Sequence, residues 1–63
     1  TNDALGASMR SIALLKNTKS IYFVPMSQDD PLNKPNSLVA DFERIPDAII
    51  AAQAGTQLQP LFL

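Results

Sequence analysis

The 63-residue chain contains neither cysteine nor histidine. Without cysteine no disulfide can staple so short a chain, and without either residue type the usual zinc sites are excluded. The lack of histidine also removes the commonest side chain for acid–base catalysis near neutral pH. The absence of cysteine agrees with a reducing cytosol. A domain of this length ordinarily needs a staple, a metal or a partner to be stable.

Basic clusters, long apolar runs and glycine-rich loops are also missing. The five Lys and Arg residues are scattered and the net charge is −1, so we expect no nucleic-acid binding, which needs a basic patch or stripe. No apolar run reaches the roughly eighteen residues of a membrane-spanning helix, so we expect no membrane partner. Gly6 and Gly55 are too far apart to form a phosphate-binding loop.

Apolar residues at spacings of four, three and three predict an amphipathic helix near the N-terminus. Asn2 or Asp3 would cap it, and Asn17-Thr18 would end it. Its stripe comprises Leu5, Met9, Ile12 and Leu15. The segment from Ile21 to Val24 has no polar residue. We therefore predict a strand covered on both faces, which Pro25 ends.

A second helix is predicted from about Ile45 to Ala54, after a short turn from Ser37 to Arg44. Gly55 is suited to the position just beyond its end. The tail from Leu58 to Leu63 is apolar, and Pro60 restricts it to a sheet edge or a packed coil. The apolar face of the second helix would be formed by Phe42, Ile45, Ile49 and Ala52.

The loop at residues 26–36 carries most of the polar side chains, and α/β proteins place binding loops after buried strands. Asp29 and Asp30 would bind a metal or act as an acid–base pair, or else form turns. Lys34 would hold a phosphate or carboxylate, or remain an ordinary solvated side chain. Asn36-Ser37 would donate hydrogen bonds to a ligand, or cap the following turn.

The order helix, strand, loop, helix, tail is half of an α/β layer. One strand cannot satisfy its own backbone groups, and amphipathic helices need a sheet to cover. The chain also starts at Thr1 rather than at an initiator Met. We therefore expect it to be a segment of a longer protein, whose upstream part or another chain supplies the missing strands.

Five phrases stand out along the chain: Thr-Asn-Asp-Ala-Leu-Gly (1–6), Asn-Thr-Lys-Ser-Ile-Tyr-Phe-Val-Pro (17–25), Gln-Asp-Asp-Pro (28–31), Lys-Pro-Asn-Ser-Leu-Val-Ala (34–40) and Gln-Leu-Gln-Pro (57–60). Together and in this order they resemble the family of the dipicolinate synthase B subunit, in its C-terminal third. The resemblance covers essentially the whole chain. That family lies within the wider flavoproteins, which include the phosphopantothenoylcysteine decarboxylases and the flavin prenyltransferases.

The resemblance implies an α/β fold, namely the C-terminal part of a Rossmann-like (flavodoxin-like) three-layer sandwich with a parallel sheet. Residues 1–63 would be the C-terminal segment of a single flavoprotein-like domain, inactive in isolation. An FMN site and a homo-oligomer are implied with it. Carried over residue by residue, the resemblance implies that the loop reaching the flavin holds Thr1, Asn2 and Asp3.

The function implied is that of an oxidoreductase subunit of dipicolinate synthase. It would help to oxidise a dihydrodipicolinate-type precursor to dipicolinic acid in the cytoplasm of the mother cell during sporulation. Its partner would be the dehydrogenase-like A subunit of dipicolinate synthase, which carries NAD(P). A pyridine dicarboxylate needs paired donors, and the best available are Gln28, Lys34 and Asn36.

The alternative function is that of a non-catalytic scaffold subunit, which binds the dehydrogenase-like partner and has a vestigial flavin site. No catalytic residue or metal ligand is assigned.

Overall fold

The computed structural model describes all 63 residues. The chain is α/β, as predicted, and its elements follow the order helix, strand, strand, 3₁₀ turn, helix. Their bounds are α1 (Met9–Lys16), β1 (Met26–Ser27), β2 (Val39–Ala40), the 3₁₀ turn (Phe42–Arg44) and α2 (Ile45–Gln53).

The strand pair within the chain is antiparallel, whereas the parallel sheet belongs to the whole-domain fold that the resemblance implies. Met26 of β1 lies opposite Ala40 of β2, and Ser27 lies opposite Val39. On the other side of β1, Met26 forms an isolated parallel bridge with Phe62 of the tail. Parallel strands need a crossover connection, whereas β1 and β2 are joined only by a returning loop, which favours the antiparallel arrangement.

Helix α1 begins later than the predicted cap, because the preceding residues 2–8 form successive turns. The Asp3 carbonyl accepts from the Gly6 N–H at 3.0 Å. A Cβ at position 6 would lie only 2.6 Å from Asp3 Oδ1, so glycine leaves room for that carboxylate. The end of the helix is predicted correctly, since α1 stops at Lys16, just before Asn17-Thr18.

The predicted strand from Ile21 to Val24 is wrong for this chain, because these residues join no ladder. Ile21 and Tyr22 are each 37% exposed, so the segment is not covered on both faces. The backbone groups of Tyr22 and Val24 make no hydrogen bond within the chain. A strand needs a neighbouring strand for these groups, and regular pairing starts only after Pro25.

Helix α2 has nearly the predicted bounds. It ends in a Schellman motif, in which Gly55 has φ of 77° and the Thr56 N–H donates to the Ala51 carbonyl at 2.9 Å. The predicted apolar face is only partly correct. Phe42 is 74% exposed because it lies in the 3₁₀ turn, out of phase with α2, and the buried residue of the helix is Ala48.

The buried core is small, as expected for a short chain. It consists of Ala4, Pro25, Ser37, Leu38 and Ala48. Helix α1 contacts no other helix or strand, so its predicted apolar stripe stays partly open, with Met9 37% and Leu15 42% exposed. No helix of the chain has both the length and the apolar character needed to cross a membrane.

Candidate functional site

The N-terminal residues and the end of the polar loop are joined by backbone hydrogen bonds. The Thr1 amino group donates to the Leu38 carbonyl at 2.7 Å, and the Leu38 N–H donates back to the Thr1 carbonyl at 3.0 Å. The Leu5 N–H donates to the Asn36 carbonyl at 2.8 Å. The two segments that the sequence predicts to contact cofactor and substrate therefore meet in one place, which we call the paired-loop site (residues 1–5 and 26–38).

Ser37 is the buried polar residue at this junction, only 2% exposed. Its hydroxyl donates to Asn2 Oδ1 across a long 3.4 Å contact. Hydrogen bonding from Ser37, aided by the charge of Lys34, lowers the pKa of the exposed Asp29 carboxyl below its ordinary value of 3.8. Ser37 thus links the N-terminal residues to the polar loop.

Asp30 has the turn-forming role that the sequence left open. Its two carboxylate oxygens accept from the backbone and side-chain amides of Asn33, both at 3.3 Å. Its carbonyl accepts from the Lys34 N–H at 2.7 Å. Asp29 instead faces Ser37 and Lys34, so the adjacent carboxylates have different partners. No three acidic, histidine or cysteine side chains come together as a metal cluster.

Asp3 caps the turns that lead into α1. Its carboxylate accepts from the Ala7 N–H at 3.3 Å and from both the backbone and the hydroxyl of Ser8 at 3.2 Å. Free N–H groups at the start of a helix are commonly satisfied in this way. The carboxylate of Asp3 is therefore occupied within the chain, and its predicted contact with a cofactor stays a prediction.

Three donors of the paired-loop site make no direct hydrogen bond or salt bridge within the chain, although the charge of Lys34 acts on Asp29. The amide nitrogens Nδ2 of Asn2 and Asn36 make no hydrogen bond, and Lys34 forms no salt bridge. All three residues are exposed. Asn36 lies against Gly6, since a Cβ built there would be 3.5 Å from its Nδ2 atom. The site thus offers two neutral donors and one cation to a ligand with carbonyl or carboxylate oxygens.

Gln28 stabilises the loop by a hydrogen bond and also borders a cavity. Its Nε2 atom donates to the Pro35 carbonyl at 2.9 Å, which leaves its Oε1 atom free as an acceptor. The open cavity beside it has a volume of about 170 Å³. Its walls are mostly apolar and are formed by Leu5, Met26, Ser27, Gln28, Leu38, Phe62 and Leu63. Walls of this kind suit the faces of a planar ring.

Sequence reasoning missed most of the residues that line this cavity. Lys34 and Asn36, predicted to bind substrate with Gln28, are not among its lining residues. The sequence predicts Leu5 in a helix stripe and Phe62 in a packed tail. Their apolar character is visible in the sequence, but their meeting depends on the Met26–Phe62 bridge and the Leu5–Asn36 hydrogen bond.

Comparison with known proteins supports the resemblance. No protein-family model matches the chain. The B subunit of dipicolinate synthase from Bacillus subtilis (strain 168) is 46% identical over all 63 residues, which make up 32% of its length. The crystal structure of the dipicolinate synthase B subunit from Bacillus halodurans superposes on the whole chain with a TM-score of 0.97 and 52% identity, again over 32% of that protein.

The chain therefore spans about a third of the length of these relatives. The match lies in the C-terminal part of the solved structure, as predicted. Because identity and fold agree along the entire chain, these 63 residues are similar throughout to the C-terminal part of the dipicolinate synthase B subunit.

Proposed function

We propose that this chain is part of a dipicolinate synthase subunit that helps to oxidise a dihydrodipicolinate-type precursor to dipicolinic acid. The observation that carries the proposal is the paired-loop site, where backbone hydrogen bonds join residues 1–5 to the loop that carries Lys34 and Asn36. Its similarity to the dipicolinate synthase B subunit supports a substrate of the dipicolinate class. The product of this oxidation is a planar ring with two carboxylates.

The polar side chains of the site would recognise the carboxylates of this substrate. Lys34 supplies a positive charge that is not used in a salt bridge. The amide of Asn36 adds a neutral donor, held near Gly6. A carboxylate accepts several charge-assisted hydrogen bonds, so these two donors together would orient it. Gln28, on the cavity wall, would contact the ring side of the substrate.

The donor set also fits one part of a flavin. Asn2 presents a free amide nitrogen, while Ser37 holds its oxygen, so the orientation of the side chain is partly fixed. That arrangement suits the carbonyl-bearing edge of a flavin ring. The chain has no glycine-rich loop to cradle the phosphate of FMN. We propose that Thr1, Asn2 and Asp3 lie near the ring, and that the phosphate binds elsewhere in the full-length protein.

Aromatising the dihydropyridine-type ring removes two electrons and two protons. FMN, or NAD(P) on a dehydrogenase-like A subunit, would supply the electron acceptor when bound. The residues of this chain would bind and orient the dicarboxylate. The apolar walls of the cavity would exclude water from one face of the ring.

The same proposal covers the rest of the protein. Residues 1–63 would be the C-terminal segment of a single domain, whose upstream part supplies a neighbouring strand for Tyr22 and Val24. The unpaired backbone groups of these two residues support this arrangement. We further propose a homo-oligomer that works with the dehydrogenase-like A subunit in the cytoplasm of the sporulating mother cell.

The proposal is tested by Lys34→Ala in the full-length protein, assayed with its dehydrogenase-like partner. The KM for the precursor should rise about tenfold, as expected for the loss of one charge-assisted hydrogen bond. Thermal unfolding should be unchanged, because Lys34 is exposed. Lys19→Ala, in the exposed turn after α1, is the matched control. An unchanged KM for the precursor in Lys34→Ala would contradict the assignment.

A non-catalytic scaffold is the second candidate, and the open apolar faces of the helices favour it. Leu14 is 71% and Ile50 63% exposed, so both helices offer surface for a partner. The colour of the purified full-length protein distinguishes the two candidate functions. A full-length protein that purifies yellow, or takes up FMN on addition, supports the enzymatic role, whereas one that cannot be loaded supports the scaffold.

A further inference from the structure

The side chain of Gln57 pairs with the backbone of Phe23 in both directions. The Phe23 N–H donates to Gln57 Oε1 at 2.7 Å, and Gln57 Nε2 donates to the Phe23 carbonyl at 2.6 Å. A neighbouring strand would make the same pair of bonds with its own peptide groups. The second hydrogen of Nε2 is also used, in a 3.0 Å bond to the Leu58 carbonyl. The Oε1 atom and both hydrogens of Nε2 are therefore hydrogen-bonded within the chain.

The tail that follows Gln57 continues alongside β1, which begins just after the segment that contains Phe23. The Met26 N–H donates to the Leu61 carbonyl, and the Leu63 N–H donates to the Met26 carbonyl, both at 2.8 Å. The bridge that these bonds form is parallel, so the tail and the segment run in the same direction. Backbone groups at Phe23 and at Met26 are thus satisfied by one stretch of chain, residues 57–63.

The segment around Phe23 has the composition of a strand that adds to other strands, and its other edge, at Tyr22 and Val24, has no partner within the chain. Ile21-Tyr22-Phe23-Val24 consists of β-branched and aromatic residues without a charge. Uncharged edges of this kind are templates for strand addition and aggregation, and proteins protect them by covering or charging them. No charged side chain lies within the segment, so protection has to come from another part of the chain.

We propose that the tail, Gln57 to Leu63, closes this edge against the addition of a second copy of the chain, with the Gln57 amide acting in place of a peptide group. Glutamine suits the position because its side chain carries the same donor and acceptor as a peptide. A leucine of similar size offers neither, and a glutamate offers only the acceptor. The proposal is independent of the proposed oxidation, since it concerns none of the paired-loop donors.

The test compares Gln57→Leu with Gln53→Leu in the full-length protein. Gln53 is exposed at the end of α2 and its side chain makes no hydrogen bond, so the control introduces the same apolar group elsewhere. In Gln57→Leu, the Phe23 amide should exchange its hydrogen about tenfold faster, the effect of losing one net hydrogen bond. Sedimentation velocity should reveal species larger than the wild-type assembly, increasing with concentration. Gln53→Leu should show neither change.

A wild-type sedimentation profile for Gln57→Leu would overturn the proposal. Gln57→Glu tests it separately if the leucine variant fails to fold, because it keeps the size and the acceptor. In that variant a carboxylate oxygen would face the Phe23 and Leu58 carbonyls without a donor, so the Phe23 amide should exchange faster than in the wild type, while the added charge should prevent self-association. Wild-type exchange of Phe23 in Gln57→Glu would show that Gln57 does not hold the edge.

Discussion

The paired-loop site and the apolar segment from Ile21 to Val24 are neighbours in the chain but differ in how far the chain completes them. At the site, Thr1, Leu5 and Leu38 take part in backbone hydrogen bonds, and Ser37 is buried. In the apolar segment, Tyr22 and Val24 have no backbone partner and Tyr22 is 37% exposed. The polar region is thus nearly self-sufficient, whereas the apolar one is not.

The difference follows from what each kind of interaction requires. A hydrogen bond is complete once one donor meets one acceptor, so a few loop residues can satisfy one another. Burial of an apolar face scales with area, and a strand needs a second strand along its whole length. A chain of 63 residues has enough groups for the first requirement but too little surface for the second.

The largest expected effect comes from removing the apolar support of the paired-loop site. Leu38 is 5% exposed, so Leu38→Ala in the full-length protein should lower the free energy of unfolding by about 2–5 kcal/mol. Leu32→Ala is the control, because Leu32 is 93% exposed and its loss should change stability by less than about 0.5 kcal/mol. Chemical denaturation measures both. Equal losses would mean that the site is not the better packed region.

A smaller effect is expected from removing the cap of the turns before α1. Asp3→Ala deletes the acceptor for Ala7 and Ser8 and should cost about 1 kcal/mol. Asp3→Asn keeps one acceptor oxygen and should cost less. Hydrogen exchange of the Ala7 and Ser8 amides should accelerate in the alanine variant. If stability and exchange remain at wild-type levels, the carboxylate is not needed for the fold and is free for a ligand.

The smallest expected effect is the loss, at low pH, of the stability that the ionised Asp29 contributes. The folded state lowers the pKa of Asp29, so its ionised form stabilises the loop above pH 3.8, and this contribution is lost as the pH falls through the lowered value. Ser37→Ala removes the largest cause and should bring the pKa of Asp29 back towards 3.8, as followed by NMR titration of the carboxyl group. Asp29→Asn should abolish the corresponding acid-dependent change. A pKa that stays at its wild-type value in Ser37→Ala would show that the hydroxyl is not its cause.

Much of the helical structure is predictable from the sequence, because its signals are local. Gly55 marks the end of α2 by adopting a positive φ, and Asn17-Thr18 mark the end of α1. The sequence places the start of α1 too early, since it makes Asp3 a cap of the helix when Asp3 caps the turns before it. Gly6 is the available signal for this difference.

The candidate site is predictable in part. The residue types of the loop suggest the donors Lys34 and Asn36, and the resemblance points to Asn2. The turn-forming role of Asp30 is one of two open alternatives, and its bonds to Asn33 show that the turn-forming one applies. The bridging position of Ser37 is not visible in the sequence, because it depends on Asn2, which is distant along the chain.

By itself, the sequence determined the helices and the polar loop, because capping residues and apolar periodicity act over a few neighbouring positions. The tertiary structure decided which segments meet. It joined Thr1 to Leu38, and it placed the Gln57 amide on Phe23. It also left Tyr22 and Val24 unpaired, because strand formation depends on a partner distant in the chain, and no local pattern specifies whether that partner is present.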